Sequence, residues 1–436
     1  MSKKTKIALA SAILAAGVAS VASAHDRAPT VKLGGSIDAQ FGYQSQKSGF
    51  NNAGSTTNQR SKYGLVNDTK VHVKADAHKG GLKYGGKIVL NTDTSNAKNG
   101  ESSVANKTMM FVESSLGRLE AGSYTGAYDG LRVGATRLSS ATGGINGDWK
   151  YWVSQDIDGS FSAATGAGIN ALPYKPGLPT EFDRSYQQNA SKLTYYTPTF
   201  RGLKAGVTWT PDTEQHGTVN KLVGVSKDYT TAVGPSTNQA KGYKNVFQGG
   251  LNYHHKFDKI TWKFSALGEV GKAKKYDLSA IGAGLSAKRH DLSAWELGAS
   301  AHYMGFGVGG AYGDWGKSGL MKTRYVGASS SSITGAKAGK YWNIATNYEH
   351  GYYSASAGYM ASETGGYGVD LTTNTPAYST KKGKAEVFSF GVDYKLAPGL
   401  MPYAEVTHFS LKDRSQTPAD GRNTGTVFLA GSKLSF

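Results

Sequence analysis

Apolar and polar residues alternate with a period of two along most of this chain. Ile260, Trp262, Phe264, Ala266 and Val270 are separated by Thr261, Lys263, Ser265 and Glu269. Phe388, Phe390, Val392, Tyr394 and Leu396 are separated by Ser389, Gly391, Asp393 and Lys395. Strand side chains point to alternate faces, so each such run predicts a strand with one apolar and one polar side. The pattern predicts about sixteen strands, at 31–43, 69–78, 82–91, 107–114, 118–123, 190–196, 203–210, 245–255, 260–270, 294–304, 306–315, 341–350, 352–362, 386–396, 401–411 and 424–436. No amphipathic helical stretch of normal length stands out. Periodicity alone fits both a soluble sandwich and a membrane barrel with a wet interior, because the two differ only in which face meets water.

The connections separate the two. Very short turns, at Lys79-Gly80-Gly81, Gly305 and Gly351, alternate with long segments rich in Ser, Thr, Asn and Gly, such as 44–68, 211–244 and 316–340. Short turns at one end and long loops at the other are the arrangement of outer-membrane barrels. The chain also closes on an alternating strand that ends in phenylalanine. Phe428, Ala430, Leu434 and Phe436 share one face of it, with Ser432 between, and Gly431, Lys433 and Ser435 share the other.

At the opposite end, Lys3, Lys4 and Lys6 precede an apolar stretch at 7–21 and the small-x-small site Ala22-Ser23-Ala24. This is the pattern of a secretory signal peptide, with an uncleaved anchor as the alternative. Residues 1–24 are therefore expected to be the cleaved signal and 25–436 a single barrel domain. No long apolar run follows, and the mean hydropathy of −0.41 excludes a helical membrane protein but not a barrel, in which only alternate residues touch lipid. The 58 glycines, 26 tyrosines and 11 prolines suit curved sheets with aromatic girdles and unbroken ladders. The chain has no cysteine, so disulfides, thiolate catalysis and cysteine-ligated metals are ruled out. The formal charge is +18, and loss of the three signal lysines lowers it to +15. Export argues against nucleic acid and points to anionic solutes or anionic lipid head groups.

The segment 124–189 does not alternate, and a connection this long in a compact domain is usually functional or disordered. Several segments resemble the general Gram-negative porins, most closely their alphaproteobacterial branch. They are Gly80-Gly-Leu-Lys-Tyr-Gly-Gly86, Phe111-Val-Glu-Ser-Ser-Leu-Gly-Arg-Leu-Glu-Ala-Gly-Ser123, Tyr195-Tyr-Thr-Pro-Thr-Phe-Arg-Gly-Leu-Lys-Ala-Gly-Val207, Phe306-Gly-Val-Gly-Gly-Ala-Tyr-Gly313, Leu396-Ala-Pro-Gly-Leu-Met-Pro-Tyr-Ala-Glu405 and the terminal Phe436. The resemblance implies an all-β, 16-stranded antiparallel transmembrane β-barrel in the outer membrane, assembled as a homotrimer. It also implies a third loop folded inward, with carboxylates on the loop facing arginines and lysines on the wall, and a terminal Phe436 read by the outer-membrane assembly machinery.

The expected function is passive diffusion of small hydrophilic solutes and ions. An electrostatic filter of this kind needs opposed charges around a narrow water column. Alternation places Lys70, Lys74, Lys83, Lys87, Lys192 and Lys204 on the lumenal wall, with Lys74 opposite Lys87. The resemblance adds Arg118 in the Leu-Gly-Arg stretch and Lys62 in Ser61-Lys-Tyr-Gly. Asp38, Asp76 and Glu120 oppose them on the wall. The inward loop offers Asp129, Asp148, Asp156, Asp158, Glu181 and Asp183, diluted by Arg132, Arg137, Lys150 and Arg184. Clustered loop acids are also ligand types for calcium, although no spacing demands it; no other cofactor is expected. The positive excess predicts anion preference. The competing view puts it on external loops (Lys221, Lys227, Lys241, Lys274 and Lys275), where it would bind lipopolysaccharide phosphates. A substrate-specific channel and a barrel adhesin or hydrolase remain as alternatives. Catalysis is not expected, because His72, His254, His255, His302 and His408 are scattered and no Ser–His–acid set is visible.

Overall fold

The computed structural model describes residues 27–47, 61–92, 105–153, 190–213, 243–274, 276–277, 285–318, 321–326, 329–332, 339–365, 382–412 and 422–436. The expected signal peptide lies outside them. The chain forms β1 (Arg27–Gln46), β2 (Tyr63–Lys79), β3 (Leu82–Asn91), β4 (Ala105–Ser114), β5 (Gly117–Ser123), β6 (Ser191–Tyr196), β7 (Leu203–Asp212), β8 (Tyr243–Phe257), β9 (Ile260–Ala273), β10 (Tyr276–Asp277), β11 (Leu285–Arg289), β12 (Leu292–Tyr303), β13 (Phe306–Gly316), β14 (Met321–Val326), β15 (Ser329–Ser332), β16 (Gly339–His350), β17 (Tyr353–Gly365), β18 (Lys382–Tyr394), β19 (Leu400–Lys412) and β20 (Arg422–Ser435).

Strands β1–β9, β12, β13 and β16–β20 make one closed antiparallel barrel in chain order, and β20 pairs back onto β1. All sixteen segments predicted from alternation are barrel strands. Closure satisfies the backbone groups of every strand on both sides, as a membrane interior requires. At the seam, Phe436 continues the ladder: its N–H donates to Gly35 O at 3.1 Å, and its carbonyl accepts from Gly35 N at 2.8 Å.

Burial along the strands resolves the ambiguity between sandwich and barrel. On β12, Glu296 is fully buried while its neighbour Leu297 is 54% exposed. The same inversion runs through β13 and β16, where Val308, Trp342 and Ile344 are exposed and Asn343 and Asn347 are buried. A continuous band of exposed Trp, Phe, Leu and Val is stable only against lipid. Among the described residues no helix is long and apolar enough to cross a membrane.

Tight turns lie at the end where the barrel's first and last strands also terminate. Gly80-Gly81 and Met304-Gly305 both place two successive residues at positive φ, the conformation that matches the twist of a two-residue hairpin. The connections at the other end are longer. Two of them depart from the loop expectation: β10 and β11, between β9 and β12, pair with β14 and β15, between β13 and β16, in a separate four-stranded sheet of order β10-β11-β14-β15. These strands are two to six residues long, too short for alternation to distinguish them from loop.

Candidate functional site

The connection after β5 covers part of the inner wall. Its described part, Tyr124–Val153, forms the short helix Ala127–Leu131, 3-10 turns at Ala135–Arg137 and Gly144–Asn146, and a helical turn at Trp149–Trp152. The segment runs along inward-facing side chains from β7 round to β1. Ala127 N donates to Thr208 Oγ1 at 2.7 Å, Asn252 Nδ2 donates to Leu131 O at 2.8 Å, and Val133 N donates to Ser265 Oγ at 3.0 Å. Further on, Ser140 N donates to Ser356 Oγ at 2.7 Å and Ala141 N to Asp393 Oδ1 at 2.6 Å. At the seam, Trp152 Nε1 donates to Gln40 Oε1 at 2.8 Å, and Gln40 Nε2 donates to Asp148 Oδ2 at 3.2 Å. Gly42 leaves room for this: a Cβ there would sit 2.4 Å from the Trp152 ring.

The firmest attachment is at Glu405 on β19, which is 2% exposed. Its carboxylate accepts from Thr142 N at 3.0 Å, Thr142 Oγ1 at 2.9 Å and Gly144 N at 3.1 Å. A buried carboxylate needs such donors, and hydrogen bonds to a charged acceptor are the strong ones. Around it lies an apolar cluster with wall residues Met360, Val387, Phe409, Leu411, Val427 and Leu429 and loop residues Leu138, Ile145 and Trp149. Trp149 stacks on Phe409 with ring centroids 5.5 Å apart. The sequence carried a signal for this. Val427-Phe428-Leu429 is apolar on both faces, so its inner face must be covered.

Strands β2–β5 differ. The ladder puts Asp68, Lys70, His72, Lys74 and Asp76 of β2 on the same side as Lys83 and Lys87 of β3, Lys107 and Glu113 of β4, and Arg118 and Glu120 of β5. It also pairs Lys74 directly with Lys87, the register expected from the Gly80-Gly81 turn. This is the inward side, since Asp38 and Gln40 of β1 share it and Val71, Val73, Ile88 and Val112 take the other. The described loop makes little contact with this arc. Lys107 Nζ and Lys87 Nζ lie 5.5 Å and 5.9 Å from the ring centroid of its first residue, Tyr124, and Lys107 also feels the charge of Asp129.

The charges on the arc are unequally paired. Lys70 pairs with Asp68, and Lys74 with Asp76 at 3.6 Å. Arg118 takes both glutamates, Glu120 at 2.6 Å through Nε and Glu113 at 2.9 Å through Nη1, and lies over the Phe111 ring. Lys83, Lys87 and Lys107 have no ion pair among the described residues.

The other sequence candidates lie elsewhere. Lys62 precedes β2 at the long-loop rim, where its carbonyl accepts from Gln44 N at 2.6 Å and its side chain is exposed. Lys192 faces inward but is 6% exposed, bonded to the carbonyls of Tyr124 and Ala190. Lys204 faces inward over the Tyr196 ring at 4.9 Å. Asp129 pairs with Arg137 of the same loop at 3.1 Å, and Asp148 meets Gln40. Asp156, Asp158, Glu181, Asp183 and Arg184 lie outside the described residues, as do Lys221, Lys227, Lys241 and Lys275. Among the described residues no cluster of three metal-ligating side chains exists, and Asp129 and Asp148 stand in separate contacts. Lys107, Glu113 and Glu405 also sit on the inward face, and in the sequence nothing but alternation marks them.

The family profile described as Gram-negative porin matches residues 8–414. An uncharacterized protein of Rickettsia conorii is 29% identical over 385 residues, covering 81% of this chain and 80% of its own. One of Rickettsia felis is 29% identical over 414 residues, covering 87% of each. Among solved structures, a loop-L8 deletion mutant of OmpT, an outer membrane protein of Vibrio cholerae, superposes with a TM-score of 0.52 at 12% identity, over 94% of this chain and all of that one. The anion-selective porin from Comamonas acidovorans gives 0.51 at 16% identity, again over 94% of this chain and all of that one.

Proposed function

This chain belongs to the Gram-negative porin family, whose members are outer-membrane β-barrel channels, and we propose that it is a general diffusion porin with a preference for anions. The observation that carries the reading is the division of the inner wall. The loop covers the apolar inner face near β17–β20, so solutes pass along β2–β5, where Lys83, Lys87 and Lys107 form no ion pair among the described residues. A water column against a low-dielectric wall concentrates that field, so anions enter and dwell more readily. Of the two described loop acids that the resemblance implied, Asp129 pairs with Arg137 and Asp148 accepts from Gln40. That a neighbour in fold is an anion-selective porin accords with the reading.

The test is the reversal potential of the purified protein across a salt gradient. Anion preference is expected. Replacing Lys83, Lys87 and Lys107 together with glutamine should lower the chloride-to-potassium permeability ratio by roughly threefold or more at low salt, and less at high salt as screening rises. Cation preference in the unaltered protein refutes the reading.

The same proposal includes export by cleavage after Ala24 and assembly as a homotrimer. The trimer is supported by the solved trimer form of OmpT and by the outer face of β2–β5. Exposed aromatics crowd the opposite arc, with Trp262, Trp295, Phe306, Trp342, Tyr353 and Phe388, whereas β2–β5 expose only Tyr63 and Tyr84. Aromatic girdles mark lipid-facing surface, so the arc that lacks them is suited to a neighbouring subunit.

A further inference from the structure

Beneath the inward loop, a cavity of about 170 Å³ opens near the short-turn end, between Arg137–Ser140 and the β16–β19 wall. It is separate from the β2–β5 arc. Two carboxylates line it, Glu349 near the end of β16 and Asp393 on β18. Two cations line it as well, Arg137 from the loop and Lys395 from the turn after β18.

Among the described residues no ion pair joins these charges to one another. Glu349 accepts from Asn347 Nδ2 at 3.1 Å, and Asp393 accepts from Ala141 N at 2.6 Å; both donors are neutral. Lys395 is exposed and has no ion pair among the described residues. Among the described residues Arg137 uses only Nη2, which donates to the carbonyl and carboxylate of Asp129. Asn347 is 7% exposed, and its Oδ1 has no hydrogen-bond partner among the described residues. A cavity with two positive and two negative groups, none paired across it, is balanced for a solute that carries both signs. A cavity of about 150 Å³ holds a six-carbon ring, so this one takes about six to eight heavy atoms.

We propose that this cavity is a binding site for a small α-amino acid. The ammonium is held by Glu349 and Asp393, and the carboxylate by Lys395 and the remaining N–H groups of Arg137. Charge-assisted hydrogen bonds at both ends give the specificity, because a solute with one charge leaves the opposite pair unsatisfied. The channel reading supplies the route by which the solute arrives, but occupancy can be measured without transport.

The experiment is equilibrium dialysis of the purified full-length protein in detergent against radiolabelled L-alanine, with propionate and ethylamine as single-charge competitors. Each preparation is also assayed for conductance. Saturable binding is expected, weakened about tenfold or more in Glu349→Gln and in Lys395→Gln, with either competitor at least about tenfold poorer than unlabelled alanine. Neither substitution removes a contact of the loop to the wall, so conductance should persist in both. A conducting protein without saturable alanine binding overturns the proposal and leaves the channel reading intact. Binding unchanged in both variants, or propionate competing as well as alanine, overturns it too. Absence of conductance in the unaltered protein counts against the channel reading alone.

Discussion

Replacing Glu405 with alanine should release the middle of the inward loop while leaving the barrel closed. The carboxylate receives three hydrogen bonds from Thr142 and Gly144. Such bonds contribute about 0.5–1.5 kcal/mol each to a neutral acceptor and about 1.5–3 kcal/mol to a charged one, and they are not additive when they share one group. The truncation also strands the N–H groups of Thr142 and Gly144 at a buried position, each costing about 1–3 kcal/mol unless water reaches it. A loss of about 3 kcal/mol raises the undocked population of this stretch by roughly two orders of magnitude. The attachments at Thr208, Ser265, Ser356, Asp393 and Gln40 remain, so the loop should detach between Ala141 and Trp152 rather than leave the lumen. The chain lacks cysteine, so Asn146→Cys, at a half-buried loop position, provides a unique probe. In the Glu405→Ala background maleimide should label it at least tenfold faster, and open-channel current noise should rise. Glu405→Gln, which keeps one acceptor oxygen, should fall between the two. Equal labelling rates and equal noise in all three proteins would refute the argument that this carboxylate holds the loop.

Other outcomes follow from close contacts. Gly42→Val places a side chain in the Trp152 ring and should unseat the loop's end near Gln40, seen as altered Trp fluorescence and conductance noise with the barrel's circular dichroism unchanged. Gly35→Val meets the Phe436 ring, 2.7 Å from a Cβ, and the Lys70 carbonyl at 2.9 Å, so it should slow closure of the β1–β20 seam as severely as loss of Phe436. Heat-modified electrophoretic mobility measures both. In the connection before β12, burial raises the Asp291 carboxyl, but hydrogen bonds from Lys272 Nζ at 2.7 Å and Ala273 N at 3.0 Å more than offset this and hold it below its ordinary 3.8. Its stabilisation of that loop is therefore present above pH 3.8 and lost as pH falls through the lowered value, which hydrogen exchange at Ala273 should follow.

Alternation by itself determined the sixteen strands, because a period of two survives whichever side faces water. It also fixed which residues share a face, and with the short and long connections it put Lys70, Lys74, Lys83, Lys87, Lys192 and Lys204 on the lumenal side, to which the resemblance added Arg118. The Gly80-Gly81 turn even set the Lys74–Lys87 pairing, since a two-residue hairpin leaves one register. Which of these inward groups meets water was decided by tertiary structure. Lys192 and Lys83 obey the same alternation, yet the loop buries the first and the described residues leave the second unpaired. The path of the loop rests on contacts between residues far apart in sequence, Glu405 with Thr142 and Gln40 with Trp152, and no local pattern encodes them. The small sheet of β10, β11, β14 and β15 was illegible for the same reason: strands of two to six residues carry too few alternations, and they form only because two distant connections meet.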